Sequence, residues 1–364
     1  MAGSVARMTS STPAALPPAP VLRMRDPGEL LAALPYLLGF HPRESLVVLA
    51  FGGRSGRRVG LTQRVDLPPP EDAAAVCAAM AGNVLLGRPT GAAVLVVGGG
   101  APAAGTGPPR AELVATATAA LAGHGVPVRM RAWSGSTAAG APWACYDECR
   151  CAGALPDPAT TPLAATAVAA GVLVHADRAE LEQLVAPVAA EALRRRERLL
   201  TRAVDAEVHG PGEPGAVGPA DGVVDAALDD AAAGRLHLDD GRVVALALAL
   251  ADPLVRDAAL VRCAAPGAES AEQLWAALTR GTPDPEAAEP AALLAACALL
   301  RGDGALAGIA LDRAEQAWPG HRLTGLLRAA WQAGMAPGQV RECLRTAPLP
   351  PAVQARLRRR GSGR

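Results

Sequence analysis

Four polar residues near the start of the chain are the first candidates for chemistry. His41 and Ser45 precede a short apolar run, and Arg64 and Asp66 lie two residues apart in the segment after it. Alternate residues of a strand leave the same face, so the Arg64 and Asp66 side chains are expected about 7 Å apart. With His41 and Ser45 beside them, they would form a ligand or acid–base site at a sheet end. The alternative is structural: Arg64 pairs with Asp66 on a sheet face, while Ser45 and His41 bond the loop backbone.

The second candidate is a group of cysteines, Cys145, Cys149 and Cys151. Structural zinc sites usually take four thiolate or imidazole ligands, often from paired cysteines a few residues apart. Only three ligands are local here, so a fourth would have to come from elsewhere. Three alternatives stay open: a metal site, a disulfide or redox pair, and a turn of reduced cysteines. We therefore assign no metal ligand and no cofactor from the sequence.

A glycine-rich segment at 98–107 follows a predicted strand and precedes a predicted helix, as a phosphate-binding loop would. It lacks the Gly-Lys-Ser/Thr ending and does not match Gly-x-Gly-x-x-Gly. The whole chain contains no lysine to complete such a loop. Neither His-Glu-x-x-His nor Gly-x-Ser-x-Gly occurs. The sequence thus carries no catalytic signature, and whether the protein is an enzyme stays open.

The composition excludes several classes of function. The 364 residues include 35 basic residues, all arginine, and 35 acidic residues, which gives a net charge of zero. Proteins that bind nucleic acids or anionic membranes are usually clearly basic, so neither partner is expected. The apolar stretches at 243–251 and 291–300 are far shorter than the roughly 20 residues of a membrane span. A cytoplasmic protein with reduced thiols is the expectation.

Strands and helices alternate in the N-terminal half. Strands are predicted at 46–51, 59–67, 92–97 and 126–133, and helices at 26–39, 71–86 and 111–123. This alternation predicts an α/β domain with a mixed sheet over residues 21–176, after a disordered lead-in over 1–20.

From residue 177 onward the pattern is helical. A capping box at Asp177–Glu180 predicts a connecting helix over 177–204, and residues 205–222 are a Gly/Pro-rich loop or linker. Residues 223–347 are predicted to form an α-helical domain, followed by a basic tail over 348–364. Its predicted helices are 223–233, 240–251, 253–263, 270–280, 290–301, 304–317, 322–333 and 337–345.

One segment, 290–319, has the pattern of a tetratricopeptide unit. Ala307, Leu311, Ala314 and Pro319 stand at the offsets that recur in the second helix of such units. A single unit cannot bury its own apolar face, so this helical hairpin must dock on neighbouring helices. That argument favours a structural role over a dedicated peptide groove.

Several segments together resemble a known family. They are Leu30–Pro42 (LLAALPYLLGFHP), Ser45–Leu49, Arg64–Pro68 and a stretch over 302–320. The chain resembles domain of unknown function family 4192, from high-GC bacteria, over about residues 21–345. No assigned activity comes with this resemblance. It draws attention to the candidate ligand-binding residues Gly39, His41, Pro42, Ser45, Arg64 and Asp66.

The same resemblance implies a tryptophan-containing segment followed by a cysteine-rich turn, which here is Trp143–Cys151. The family pattern has adjacent cysteines followed by Pro and Gly. In this chain Arg150 separates Cys149 from Cys151 and the turn is shorter. This departure counts against a metal or redox role shared with the family.

Two hypotheses about function follow from the sequence. The first is a non-enzymatic cytoplasmic regulatory or protein-interaction protein that binds another protein through its helical domain. The second is a small-molecule binder or enzyme with its site near His41, Ser45, Arg64 and Asp66.

Overall fold

The computed structural model describes residues 27–52, 58–85, 87–102, 107–149, 151–169, 174–209, 220–265 and 267–346. The predicted lead-in over 1–20 and the predicted basic tail over 348–364 lie outside these residues. So does the middle of the predicted linker, residues 210–219.

Six strands form one mixed sheet. They are β1 Ser45–Gly52, β2 Arg58–Asp66, β3 Gly91–Val97, β4 Val128–Ser134, β5 Pro142–Cys145 and β6 Ala152–Ala154. Their order across the sheet is β2-β1-β3-β4-β5-β6, and only β3 and β4 pair in parallel. The prediction of an N-terminal α/β half with a mixed sheet is confirmed.

Helices cover both faces of this sheet. The first four are α1 Pro27–Leu38, α2 Ala73–Leu85, α3 Ala111–Gly123 and α4 Pro162–Ala169, and a short 3-10 turn spans Pro158–Thr160. Leu46 and Val48 pack with residues of α2 and α3 on one face. Val47 and Leu49 pack with α1 on the other. Because β1 alternates between two covered faces, every residue from Ser45 to Ala50 is buried.

The rest of the chain is mostly helical, as predicted. Its helices are α5 Arg178–Gln183, α6 Ala190–His209, α7 Ala220–Ala232, α8 Asp240–Ala251, α9 Pro253–Cys263, α10 Ala268–Gly281, α11 Ala288–Arg301, α12 Gly304–Ala317, α13 Arg322–Gln332 and α14 Pro337–Thr346. Local sequence signals determine where several of these helices begin. The side chains of Asp239, Asp252 and Asp303 accept backbone N–H groups in the first turns of α8, α9 and α12.

The helix predicted over 177–204 is two helices. α5 begins at the predicted capping box, where Asp177 accepts from the Glu180 N–H at 3.0 Å. It ends at Gln183, and α6 begins only at Ala190. Pro187 lies between them, and a proline within a helix removes a hydrogen bond and clashes with the preceding turn.

Four short elements were not predicted: β5, β6, α4 and the 3-10 turn Pro158–Thr160. Only three or four residues make up each of the two strands, too few to show an alternating pattern. β5 pairs with β4, and β6 pairs with β5. β5 forms because the edge of β4 offers backbone partners, and β6 forms because β5 then offers its own free edge. Local sequence cannot reveal such partners.

Helix α11 lies at the centre of the helical half. Every residue from Ala288 to Leu300 is buried, and the helix contacts α8, α9, α10, α12, α13 and α14. Apart from Glu289 in the first turn, these residues are apolar, and a helix that is apolar on nearly all sides belongs in a protein interior. The apolar cluster around it also contains Val47 and Leu95 of the sheet. Sheet and helical half therefore share one continuous core.

The segment predicted as a tetratricopeptide-like hairpin covers α12 and all but the first two residues of α11, and the two helices are joined by Gly302 and Asp303. Ala307 and Ala314, the small residues that the pattern requires, are both completely buried. Small side chains at such positions let two helices approach closely. The tetratricopeptide geometry itself stays a prediction.

Candidate functional site

Strand pairing brings three of the four polar candidates together. β1 and β2 run antiparallel, with Ser45 opposite Asp66 and Val47 opposite Arg64. Side chains of a strand alternate between faces, so Ser45, Arg64 and Asp66 leave the sheet on the same face as Val47. That face packs against α1 and the helical half.

The three side chains form a connected hydrogen-bond network with the loop before β1. The Ser45 hydroxyl donates to the Arg43 carbonyl at 2.6 Å and accepts from Arg64 Nε at 2.8 Å. Arg64 Nη2 also donates to the Arg43 carbonyl at 3.2 Å and pairs with Asp66 Oδ1 at 2.6 Å. One guanidinium thus ties the start of β1 to the end of β2.

Burial differs sharply within this network. Ser45 is completely buried, the Arg64 side chain is 10% exposed, and the Asp66 side chain is 83% exposed. Burial lowers the pKa of the Arg64 guanidinium, and the neighbouring Asp66 carboxylate opposes that shift. Arg64 remains a cation, because a guanidinium does not deprotonate in proteins. Its Cζ lies 5.8 Å from the centre of the Phe40 ring, within cation–π range.

His41 has a different set of partners. Its Nδ1 shares a hydrogen bond of 2.8 Å with the hydroxyl of Thr137, which is buried in the loop after β4. Its backbone N–H donates to the His175 carbonyl at 3.1 Å. Burial, and then the nearby Arg43 charge, lower the pKa of the His41 imidazole. The neutral ring is therefore favoured, with one nitrogen already engaged.

Gly39 and Pro42 have backbone and packing roles. Gly39 has a φ of 76° after α1, a conformation that glycine adopts without strain. Its carbonyl accepts the His175 N–H at 2.8 Å. Pro42 is buried between His41 and the exposed Arg43. Both residues position the loop that presents His41 and Ser45.

Glu44 belongs to this neighbourhood, and sequence reasoning missed it. Its backbone φ is 42°, which is unusual for a residue with a side chain. Both oxygens of its carboxylate accept the Gly99 N–H, at 3.0 and 3.1 Å. A Cβ at Gly98 would clash with Oε1 of Glu44. The available signal was the glycine run, in which the Gly99 N–H here meets a carboxylate from the chain itself.

This arrangement restricts the chemistry open to Ser45. A serine nucleophile needs a base within hydrogen-bond reach, whereas the Ser45 hydroxyl donates to a backbone carbonyl. His41 is turned toward Thr137. The network joining Ser45, Arg64 and Asp66 is that of a structural lock between two strands, with the Asp66 carboxylate as its solvent-facing group.

The cysteine candidates also meet in the structure. Cys145 ends β5, Cys149 lies in the following turn, and Cys151 precedes β6. Their Sγ atoms all lie within 4.8 Å of one another. Cys145 is buried and the other two are exposed. Cys77, Cys263, Cys297 and Cys343 are free cysteines outside this group.

Comparisons with known proteins identify a family and no relative of known activity. No described helix has the length and apolar character needed to cross a membrane. No curated protein and no solved structure matches the chain. The family model described as a domain of unknown function, DUF4192, matches residues 27–338. That match spans the sheet, the loop carrying His41 and Ser45, the cysteine turn and the helices through the start of α14, and so the chain belongs to the DUF4192 family.

Proposed function

We propose that this chain is a cytoplasmic, non-enzymatic regulatory or scaffolding protein that binds another protein through its helical half. The observation that carries the proposal is the location of exposed apolar side chains. All large apolar side chains that are exposed in the described part of the chain lie within residues 184–326, C-terminal to the sheet. They are Leu184, Leu199, Val204, Trp318 and Leu326.

Two of these residues flank the turn between α12 and α13. Trp318 follows the end of α12 and is 49% exposed, and Leu326 lies in α13 and is 64% exposed. Tryptophan is enriched among the residues that dominate binding energy at protein interfaces. The exposed Arg322 lies between them in sequence. A partner with an apolar side chain beside an acidic one matches this surface.

The burial of α11 supports an outer docking surface. In a tetratricopeptide array, a peptide usually binds in the concave groove lined by the first helices of the units. Here α11 would be such a helix, and its residues from Ala288 to Leu300 are all buried. The proposed tetratricopeptide-like hairpin of α11 and α12 therefore serves as a scaffold, and the α12–α13 corner is its contact surface.

The test is capture of a partner by the full-length protein, compared between matched variants. Wild-type bait in lysate of the source cells is expected to retain a partner that the Trp318→Ala/Leu326→Glu variant loses. Leu199→Glu is the control, because it adds the same charge at an exposed leucine on α6. A wild-type bait that captures nothing, or one whose partner survives the double substitution, would refute the proposal.

A second candidate function is small-molecule binding near His41, Ser45, Arg64 and Asp66. It is favoured by the left-handed backbone of Glu44, with a φ of 42°. Residues in such sparsely populated conformations cluster at functional sites. The ligand would contact the Asp66 carboxylate, which is 83% exposed.

Mass spectrometry of small molecules that co-purify with the native protein tests this candidate. A compound bound by wild type and lost in both His41→Ala and Asp66→Ala would support it. Glu71→Ala, at an exposed carboxylate beyond β2, is the control. If the wild-type protein carries no compound that these two substitutions remove, the second candidate fails.

A further inference from the structure

The thiols of Cys145, Cys149 and Cys151 converge although the residues span a turn. All three Sγ atoms lie within 4.8 Å of one another. The turn is closed by a backbone hydrogen bond of 2.8 Å from the Cys145 N–H to the Cys151 carbonyl. The three thiols thus belong to one small hairpin, and a backbone hydrogen bond joins its two ends.

The residues between the cysteines are anchored to the rest of the fold. The Tyr146 N–H donates to the Arg131 carbonyl at 3.0 Å, and its hydroxyl donates to the Pro109 carbonyl at 2.6 Å. Arg131 Nε donates to the Asp147 carboxylate at 2.7 Å. A ligand set is effective when neighbouring contacts hold it close to its bound geometry. These contacts fix the first half of the turn and leave the Asp147 carboxylate engaged with Arg131.

The donor set consists of sulfur atoms. Among the described residues, this group of potential ligands contains no histidine and no carboxylate. Three thiolates select soft cations such as Cu⁺ and Zn²⁺ over Mg²⁺ or Ca²⁺. Thiolates around zinc, with bonds of about 2.3 Å, lie about 3.8 Å apart. The separations in the turn therefore need to contract by about 1 Å or less.

The site would also be accessible. Cys145 is buried at the base, and Cys149 and Cys151 are exposed at the mouth. A cation could therefore enter from solvent at Cys149 and Cys151 and reach Cys145 at the base of the site.

We propose that Cys145, Cys149 and Cys151 form a three-thiolate site for one soft cation, Cu⁺ or Zn²⁺. Binding forms three metal–sulfur bonds and releases the three thiol protons to solvent. Three sulfur ligands would complete the coordination shell of Cu⁺. Zn²⁺ would take a water molecule or a partner's ligand as its fourth ligand, on the side that faces solvent. The proposal is independent of the protein-binding function proposed above.

The experiment uses the reduced, metal-free, full-length protein under anaerobic conditions. Cu⁺ and Zn²⁺ are titrated separately against a competing chelator, and thiolate-to-metal absorption reports sulfur ligation. The test variant is Cys149→Ser/Cys151→Ser, which changes only exposed residues of the site. Cys343→Ser is the control, because Cys343 is an exposed cysteine outside the group.

Wild type and Cys343→Ser are expected to bind one equivalent of at least one of the cations. Changing groups that merely support a metal ligand weakens binding about 10- to 100-fold, so losing two ligands should cost at least about tenfold. The titration in which the protein binds one equivalent of metal identifies the cation. Less than one equivalent of both cations in wild type, or equal affinity in the double-serine variant, would overturn the proposal.

Discussion

Replacing Ser45 with alanine tests whether the network at the start of β1 is a structural lock. Ser45 is completely buried, and its hydroxyl accepts a hydrogen bond of 2.8 Å from Arg64 Nε. Its removal leaves that N–H without its acceptor, inside a side chain that is only 10% exposed. A buried donor left unsatisfied costs about 1–3 kcal/mol, and the lost bond to the Arg43 carbonyl contributes a further ~1 kcal/mol at most. Because Arg64 keeps its contacts to Arg43 and Asp66, we expect Ser45→Ala to lower the free energy of unfolding by about 2 kcal/mol.

Equilibrium unfolding in urea measures this change. Trp133 in the sheet and Trp275 in the helical half are both fully buried, so tryptophan fluorescence reports on both halves. Far-ultraviolet circular dichroism must give the same midpoint for a two-state treatment to hold. Since one core joins the two halves, we expect the two signals to coincide.

A double-mutant cycle isolates the contact itself. Ser45→Ala, Arg64→Met and the double variant should give a coupling energy of about 1–2 kcal/mol, as residues in one hydrogen-bond network usually do. Asp66→Asn is the control: its carboxylate is 83% exposed, and an exposed ion pair contributes roughly 0–1 kcal/mol. A Ser45→Ala protein within about 0.5 kcal/mol of wild type, or a coupling near zero, would refute the lock.

Two further predictions use pairs of residues that differ in one feature. Gly308 and Gly325 both lie within helices. A Cβ at Gly308 would sit 3.0 Å from the Trp331 ring, whereas a Cβ at Gly325 would point into open space. In urea unfolding, Gly325→Ala should therefore be more stable than wild type by up to about 1 kcal/mol. Gly308→Ala should be less stable than Gly325→Ala. Equal stability of the two variants would contradict the packing of α12 against α13. The second pair is Cys149, whose pKa is lowered by its hydrogen bond with Cys151, and Cys151, whose pKa that same bond raises. Alkylation followed by peptide mass spectrometry over a pH series should thus label Cys149 at lower pH than Cys151. The reverse order would contradict the hydrogen bond between these two thiols.

Elements with strong local signals could be predicted from the sequence. The alternation of apolar and polar residues over 59–67 predicted the strand that pairs with β1. The capping box at Asp177–Glu180 predicted where a helix begins, and Asp177 does accept the Glu180 N–H, at 3.0 Å. These signals suffice because a cap or an alternating face is decided within a few residues.

Other features depend on contacts between distant parts of the chain. His41 meets Thr137 across 96 residues, and no local pattern indicates that pairing. Glu44 was missed because its backbone conformation and its bond to Gly99 exist only once β1 and β3 are adjacent. The same holds for the cysteines: their spacing left three alternatives open, and only the folded turn brings their Sγ atoms within 4.8 Å.

The absence of lysine from the sequence also gains a structural interpretation. Arg64 contacts Ser45, the Arg43 carbonyl and Asp66 at the same time. Arg196 likewise joins Asp240 of α8 to the Gly281 carbonyl at the end of α10, at 2.7 Å in both cases. A guanidinium has five donors in a rigid plane, whereas a lysine ammonium is a compact point charge on a flexible chain. These arginines therefore act as cross-links between elements inside the fold. Their side chains are turned toward partners in the protein itself.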